Sequence, residues 1–327
     1  MPQPTDTSIL VRGALQEVSI GYKNESYIAD QVFPIINGLG RLSKVAKYNK
    51  GAWYRNEAAY RAPGTEARRG GYTVTTENLD PKQIAFAKEV TKEIAADAAT
   101  AGNLPLRPAQ EAIAYTADKI DMFKEKTIAD LIFAQTWADG NLGGEDAGGL
   151  WAATDTTNTL VTDVVAGKQA IRTATGKIAN TLVMDYDTMI AQTLNVVLSD
   201  KIKYTQTSVM TPALLASLLE LDQVIIGSAV YSTADENADN DDFTAANIWE
   251  KNAGKGSAFL CYRPASAGLF QASPGYQYRL MVEGMNRRTY SWYDNAIHST
   301  IYETQEDVDL AVVDTACGYL WKDTHTT

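Results

Sequence analysis

The sequence predicts an α+β fold in which a long hairpin and one long helix precede a mixed α/β region. Three observations support this prediction. Glycine-rich turn chemistry separates two extended runs within residues 46–94. Apolar residues then recur at helical spacing over about 108–138. From residue 160 onward, short apolar strands alternate with helices whose first turns carry capping residues.

Residues 1–45 are predicted to form an extended N-terminal arm. Proline at positions 2 and 4 disfavours a helix at the start, whereas residues 9–20 could form a short amphipathic helix. The later part of the arm is apolar but too short to have its own core, so it must dock on another surface. The apolar arm residues are Tyr27, Ile28, Val32, Phe33, Ile35 and Ile36.

Residues 46–94 are predicted to form a long hairpin, the extended loop. "KYNKGAWYRNEAAY" runs outward and "GYTVTTENL" begins the return, after which "QIAFAKEVTKEIA" starts as a strand and continues as a helix. Residues 41–70 contain eight Lys or Arg against two Glu, a net charge of +6 within a chain of net charge -11. The stretch between the two runs, "YRAPGTEARRGGYTV", carries the charged residues Arg61, Glu66, Arg68 and Arg69.

Residues 95–159 are predicted to form a domain around one long helix over about 108–138. Pro108 suits a first helical turn, and Gly140 follows the last periodic residue. Thirty residues would span roughly 45 Å, which is long for a globular helix. The apolar positions are Ile113, Ala117, Ile120, Phe123, Ile128, Leu131 and Trp137. Charged residues fill the other positions, and they include Glu111, Lys119, Lys124 and Lys126.

Residues 160–290 are predicted to form an α/β domain. "NTLVMD" reads as a strand, and Asp185 can cap the helix that follows it. Thr211 and Pro212 similarly begin the helix before the strand "QVIIGSAVY". Further strands are predicted at "KGSAFLCYR" and "GYQYRLMVE".

Residues 291–327 are predicted to return to the domain of the long helix. "SWYDNAIHSTIYE" reads as a strand, and "VDLAVVDTACGYLWKD" reads as the closing strand. Cys261 and Cys317 lie among apolar neighbours and are predicted to be buried thiols rather than a disulfide.

Composition excludes several classes of protein. A net charge of -11 argues against a dedicated nucleic-acid binder, which must neutralise phosphates. The chain has no apolar window of about 18 residues, so no membrane span is expected. The N-terminus lacks a basic start followed by an apolar run, so we expect no signal peptide and synthesis in the cytoplasm.

Residues suited to catalysis or metal binding are scarce. The two histidines, His298 and His325, form no pair at metal-ligand spacing, and no nucleophile-elbow motif accompanies them. The glycine-rich "NLGGEDAGG" lacks the Lys-Ser/Thr of a phosphate loop and favours a surface turn. No catalytic residue and no cofactor is therefore predicted. One acidic run favours a solvated loop over the alternative of a cation site; its acids are Asp235, Glu236, Asp239, Asp241 and Asp242.

Several stretches, in order along the chain, resemble the major capsid proteins of tailed bacteriophages. "NESYIADQVFP" resembles the arm signature of that family, and "YRAPGTEARR" resembles its extended-loop motif. The long helix after "NLPLRP" and the closing "CGYLW" are also similar. The resemblance implies the Hong Kong 97-type capsid fold, with an N-terminal arm, an extended β-hairpin loop, a peripheral domain with a long spine helix, and an axial α/β domain.

The resemblance also implies a function: self-assembly, as hexamers and pentamers, into an icosahedral shell around the double-stranded DNA of a tailed phage. The expected partners are other copies of the chain, a portal protein and a decoration protein. Because the arm begins almost at Met1, a separate scaffolding protein is also expected. Two alternatives stay open at this point, another phage structural protein such as a tube or decoration protein, and a soluble hydrolase with an unrecognised site.

Contacts between subunits are expected to involve two groups of residues. One group consists of the charged loop residues Arg61, Glu66, Arg68 and Arg69. The arginines of this group would meet acids of an adjacent subunit. The alternative is that these arginines are solvated and keep the loop soluble. The other group is the arm residues Tyr27, Ile28, Val32 and Phe33, whose apolar area would be buried on a neighbour.

Overall fold

A computed structural model describes residues 23–40, 43–100, 107–152, 157–202, 210–235, 243–268, 271–282 and 285–325. Two five-stranded sheets and one long helix organise them. The helices are α1 (Ala29–Val32), α2 (Lys50–Trp53), α3 (Lys92–Thr100), α4 (Pro108–Phe133), α5 (Leu160–Thr175), α6 (Tyr186–Leu194), α7 (Val196–Ile202) and α8 (Pro212–Leu218). The strands are β1 (Ile35–Leu39), β2 (Lys44–Tyr48), β3 (Val74–Asn78), β4 (Lys82–Thr91), β5 (Glu145–Asp146), β6 (Thr181–Asp185), β7 (Gln223–Gly227), β8 (Val230–Ser232), β9 (Ala245–Asn247), β10 (Ser257–Cys261), β11 (Gly275–Leu280), β12 (Arg287–Asp294), β13 (Ser299–Val312) and β14 (Gly318–Lys322).

The first sheet is built around β13. This 14-residue strand pairs antiparallel with β4 on one side, and with β12 and then β11 on the other. Strand β1 of the arm adds in parallel to β11. Helix α4 packs across β4 and β13, so the long helix and the sheet form one layered unit. None of the described helices combines the length and apolar character needed to cross a bilayer.

Helix α4 begins where the sequence predicts and ends five residues before residue 138. Pro108 occupies its first turn, and the Glu111 carboxylate accepts a hydrogen bond from the Arg107 backbone N–H at 3.2 Å. After Phe133 the chain turns, and the Trp137 indole N–H donates to the Ile132 carbonyl at 2.8 Å. Trp137 is thus an apolar residue of the turn that covers the helix end, rather than part of the helix.

The second sheet has the order β5-β14-β10-β6-β7, and all five residues of both β6 and β10 are buried. The predicted caps are confirmed. The Asp185 side chain accepts a hydrogen bond from the Thr188 N–H at the start of α6, and Thr211 accepts from the Leu214 N–H at the start of α8. The core of this unit includes Trp151 and Trp321, whose ring centroids lie 5.5 Å apart.

The later chain contributes to both sheets. Strands β11 and β12 begin within residues 160–290 and pair in the first sheet, whereas β14 pairs with β10 in the second sheet. Strand β13 packs against α4, and Leu320 of β14 lies in one core cluster with Ile128 and Ile132 of that helix. "SWYDNAIHSTIYE" is a hairpin rather than one strand, because His298 takes a left-handed φ of 48° and Asp294 accepts from the Ala296 N–H. A 3₁₀ turn at Thr315–Cys317, capped by Asp314, likewise separates β13 from β14.

Candidate assembly surfaces

The extended loop, defined here as residues 49–73, joins β2 to β3. Strands β2 and β3 form the base of the predicted hairpin, whereas β4 leaves it to join β13. Within the loop, the Thr65 N–H donates to the Ala62 carbonyl at 3.2 Å, and Gly64 takes a φ of 83° that a side chain would strain. The predicted turn chemistry therefore forms a turn at this point.

The loop arginines are exposed in the folded chain. Arg61, Arg68 and Arg69 all lie at the surface. The Arg69 guanidinium lies 3.9 Å from the Glu66 carboxylate, and these side chains are 85% and 87% exposed. A pair exposed to this degree contributes little to folding stability. The guanidinium groups of Arg61, Arg68 and Arg69 are therefore available to another molecule.

The base of the loop is fixed to the rest of the chain. The Asn49 side chain accepts from the Gly51 N–H and so caps α2. Lys50 forms an ion pair with Asp314 at 2.8 Å, and the Tyr54 hydroxyl donates to the Thr175 carbonyl at the end of α5. An aromatic cluster of Tyr48, Trp53 and Tyr72, with centroids 5.6–6.0 Å apart, holds the two branches together. The loop is consequently presented from an anchored base.

The arm residues Ile28, Val32 and Phe33 lie inside the subunit, which corrects the expectation that they bind a neighbour. Their exposed fractions are 3%, 0% and 0%, and they pack with Ile128 and other residues of α4. Tyr27 is half-buried, and its hydroxyl donates to Asp118 of α4 at 3.0 Å. The predicted docking of the arm does occur, but the surface that receives it belongs to the same chain. Residues 9–20 lie outside the described residues.

Glu125 explains why the arm docks at this place. Its buried carboxylate accepts hydrogen bonds from the Ile28 N–H at 3.0 Å, the Ala29 N–H at 2.6 Å and the Trp249 indole N–H. These backbone N–H groups lie at the N-cap and first residue of α1, where a helix offers them no intrahelical acceptor. One carboxylate thus joins the arm, α4 and the segment after β9, which satisfies its charge in a buried place.

Burial raises the pKa of the Glu125 carboxyl, while the donors from Ile28, Trp249 and Ala29 lower it in part. A raised folded-state pKa means that the folded protein holds this proton at pH values where the unfolded chain has lost it. The free energy of unfolding therefore falls as pH rises from about 4.5, the ordinary value, through the raised pKa.

We expect Glu125→Gln to remove this dependence, so that the free energy of unfolding of the variant declines less than that of the wild type as pH rises above about 4.5. Urea unfolding of both proteins across this pH series measures the difference. Parallel pH profiles would contradict the expectation.

A second buried group surrounds Glu306 of β13. The Lys124 ammonium lies 3.4 Å from one oxygen of its carboxylate, and the Arg287 guanidinium lies 2.9 Å from the other. Arg279 places its Nε 2.9 Å from Glu306 without hydrogen-bond alignment, so this contact is ionic rather than directed. Lys124 lies outside the apolar positions that the sequence predicts for the helix, yet it is 3% exposed, and Glu306 is 1% exposed.

Two further acids complete this group. Asp121 lies 3.7 Å from Lys124 and also pairs with Arg287, and Asp30 of the arm lies 3.1 Å from Arg279. Burial raises the pKa of Asp30, but Lys124, Gln277 and Arg279 outweigh it and hold that pKa below the ordinary value. Three cations therefore balance three acids where the arm, α4 and the first sheet meet.

Of the acidic run from Asp235 to Asp242, the structure describes only the first residue. Asp235 is described and exposed, whereas Glu236, Asp239, Asp241 and Asp242 lie outside the described residues. A different group, Asp185, Asp187 and His325, brings potential ligand atoms within 4.8 Å of one another. Asp185 already accepts from the Thr188 N–H and hydroxyl and from the Ser257 N–H, which is the bonding of a helix cap.

The cysteines and His298 have structural positions. Cys261 and Cys317 are free and buried, as predicted. Burial raises the pKa of the Cys261 thiol to about 12, so it is not ionised near neutral pH. His298 lies in the turn between β12 and β13 rather than in a strand.

Comparisons with known proteins agree with this architecture. No family model matches the chain. The chain is 27% identical over 281 residues to the major capsid protein of Burkholderia phage BcepMu, covering 84% of each sequence.

Solved structures are similar over nearly the whole chain. The crystal structure of a phage-related protein from Bordetella bronchiseptica has a TM-score of 0.65 at 21% identity, covering 94% of this chain and 95% of that one. The capsid of Cyanophage P-SCSP1u has a TM-score of 0.57 at 11% identity, covering 97% and 93%. Sequence and fold together show that the chain is similar to a phage major capsid protein and has the Hong Kong 97-type fold of phage capsids.

Proposed function

We propose that copies of this chain assemble, as hexamers and pentamers, into the icosahedral shell that encloses the double-stranded DNA of a tailed bacteriophage. The observation that supports this most is the extended loop, which is anchored at its base and carries exposed arginines. A segment that projects from its own subunit can join subunits whose contacts close by symmetry. The buried arm residues stabilise the fold of the subunit, and the loop forms contacts between subunits.

Complementary charges would set the orientation of neighbouring subunits at these contacts. Residues 41–70, which include most of the loop, carry a net charge of +6 in a chain of net charge -11, so the rest of the surface offers acids to a neighbouring loop. Complementary charges at the rim of an interface orient the partners more than they add affinity. An acidic shell would also repel phosphate, which favours release of the packaged DNA.

Other partners follow from the resemblance alone. A scaffolding protein, a portal protein and a decoration protein are each proposed as partners of the shell, and bacterial cytoplasm is the proposed place of synthesis. The requirement for a scaffolding protein can be tested by expressing this chain alone. Uniform closed shells of native size would contradict the requirement.

Electron microscopy of the purified protein tests the proposed function. We expect wild-type protein to give closed shells, or hexamers and pentamers. Arg68→Glu combined with Arg69→Glu should reduce the number of assembled particles at least about tenfold, since like charges across one contact cost several kcal/mol and each 1.4 kcal/mol is tenfold.

Circular dichroism and thermal unfolding of the double variant provide the control, and both should match the wild type because the two side chains are exposed. Monodisperse wild-type monomers would contradict the proposed function. Normal particle numbers from a folded double variant would show instead that these arginines are merely solvated.

A further inference from the structure

The strand that joins the arm to the first sheet is irregular at its middle. Strand β1 pairs in parallel with β11, but between Ile36 and Leu39 two residues of β1 stand opposite a single residue of β11. This is the residue count of a β-bulge, which leaves the extra residue outside the ladder. The two residues at the irregular step are Asn37 and Gly38.

The bulge is open to solvent. Gly38 takes a φ of 82°, which glycine adopts without strain, and a Cβ built at this position would meet no atom within 4 Å. Asn37 and Gly38 are both exposed, and β1 is an edge strand of its sheet. Water therefore reaches the side-chain amide of Asn37 and the peptide bond that follows it.

Asn37 and Gly38 form the only Asn-Gly pair in the sequence. In such a pair the backbone nitrogen of the glycine can attack the side-chain carbonyl carbon of the asparagine, because glycine has no Cβ to crowd the approach. The attack needs Asn37 to rotate about its backbone bonds, and the hydrogen bonds of a regular ladder on both sides would resist this rotation. The bulge relaxes that restraint at the step where the reaction would occur.

The one Asp-Gly pair in the sequence, Asp139 and Gly140, shows the opposite arrangement. The Gly140 N–H donates to the Trp137 carbonyl at 3.0 Å, so its nitrogen is held away from the side chain before it. The Asp139 carboxylate accepts from the Asn141 N–H at 2.8 Å and from the Leu320 N–H at 3.2 Å. Both reacting groups of this pair are therefore held by hydrogen bonds.

We propose that Asn37 is a site of spontaneous deamidation in the folded chain. The backbone nitrogen of Gly38 bonds to Cγ of Asn37, the bond from Cγ to the amide nitrogen breaks, and ammonia leaves with the proton that the Gly38 N–H loses. Water then opens the resulting five-membered succinimide ring at either of its two carbonyl carbons. The products are aspartate, and isoaspartate in which the main chain runs through the side-chain carbon.

The modification changes both charge and backbone where the arm meets β11. It adds one negative charge at neutral pH, because an uncharged amide becomes a carboxylate. Isoaspartate also inserts one methylene group into the main chain, which displaces the residues after position 37 relative to β11. Phe33 and the other buried arm residues precede this step, so the arm should remain docked on α4.

Peptide mapping of the purified protein, incubated for several days in mildly alkaline buffer, tests the proposal. Trypsin cleaves after Lys and Arg and so releases residues 24–41 as one peptide that contains both Asn24 and Asn37. Fragmentation in the mass spectrometer should place the mass increase of deamidation at Asn37 and not at Asn24, whose side chain donates to the Val230 carbonyl at 3.0 Å. Isoaspartate should be found at position 37 and not at Asp139.

An unfolded sample shows whether the fold permits the reaction. The folded protein should convert Asn37 at a rate within about tenfold of the same chain in guanidinium chloride, a difference of about 1.4 kcal/mol in reaching the reactive geometry. Asn37→Gln is the matched control, and its peptide should gain no mass over the same time because the longer side chain cannot close the five-membered ring.

Two results would overturn the inference. One is a folded protein that keeps Asn37 intact, whether or not the unfolded chain converts it. The other is conversion of Asn24 at the same rate as Asn37. Neither result bears on the proposed function, which does not depend on this reaction.

Discussion

Replacing Glu306 by glutamine is expected to lower the free energy of unfolding of the subunit by about 3–5 kcal/mol. Glu306 is 1% exposed and lies against Lys124, Arg279 and Arg287. A neutral side chain would leave these cations close together with only Asp30 and Asp121 to balance them. Breaking a buried charge group by removing one member costs much more than the intact group contributes.

Glu303 provides the matched control on the same strand. It lies three residues away, on the face that turns from α4, and it is only half-buried. We expect Glu303→Gln to change the free energy of unfolding by no more than about 0.5 kcal/mol. Urea unfolding of unassembled subunits measures both variants, and equal losses would show that the Glu306 group is not the source of stability.

Phe33→Ala is the second large effect, with an expected loss of about 3–5 kcal/mol in the free energy of unfolding. The ring is fully buried and packs against the backbone of β11, where a Cβ on Gly275 would lie 2.4 Å from it. A cavity at this position would separate the arm from β11 and α4. Thermal and urea unfolding of the unassembled subunit measure the loss.

This measurement also decides between two positions for the arm. If Phe33 were bound to a neighbour, its truncation would weaken assembly and leave the isolated subunit as stable as the wild type. Phe243→Ala is the control, because Phe243 is 65% exposed and its loss should cost no more than about 0.5 kcal/mol.

Local signals in the sequence were sufficient for several elements. Pro108 marks the start of α4, and Asp185 and Thr211 mark the starts of α6 and α8, because a cap acts within a few residues of itself. The basic loop with its turn at Gly64 was likewise visible from composition. Such features need no knowledge of distant contacts.

Features that depend on distant residues could not be predicted from local signals in the sequence. The sequence gives no sign of the partner of Lys124, because Glu306 lies 182 residues later. The arm looked like a segment without a core, yet Glu125 holds it from 97 residues away. Lys124 and Glu125 do share the helical spacing of Ile120, Ile128 and Ile132, and that spacing was the one available sign of their burial.

Strands β13 and β14 follow all other described strands in the sequence, and both sheets depend on them. Strand β13 joins β4 to β11 and β12, and β14 joins β5 to β10. A ribosome makes the N-terminal residues first, so the arm, the loop and α4 emerge well before either sheet can close. The first sheet therefore cannot close until synthesis has passed Val312, and the second cannot close until it has passed Lys322. The last residues of the chain to be synthesised are thus the ones that complete both sheets.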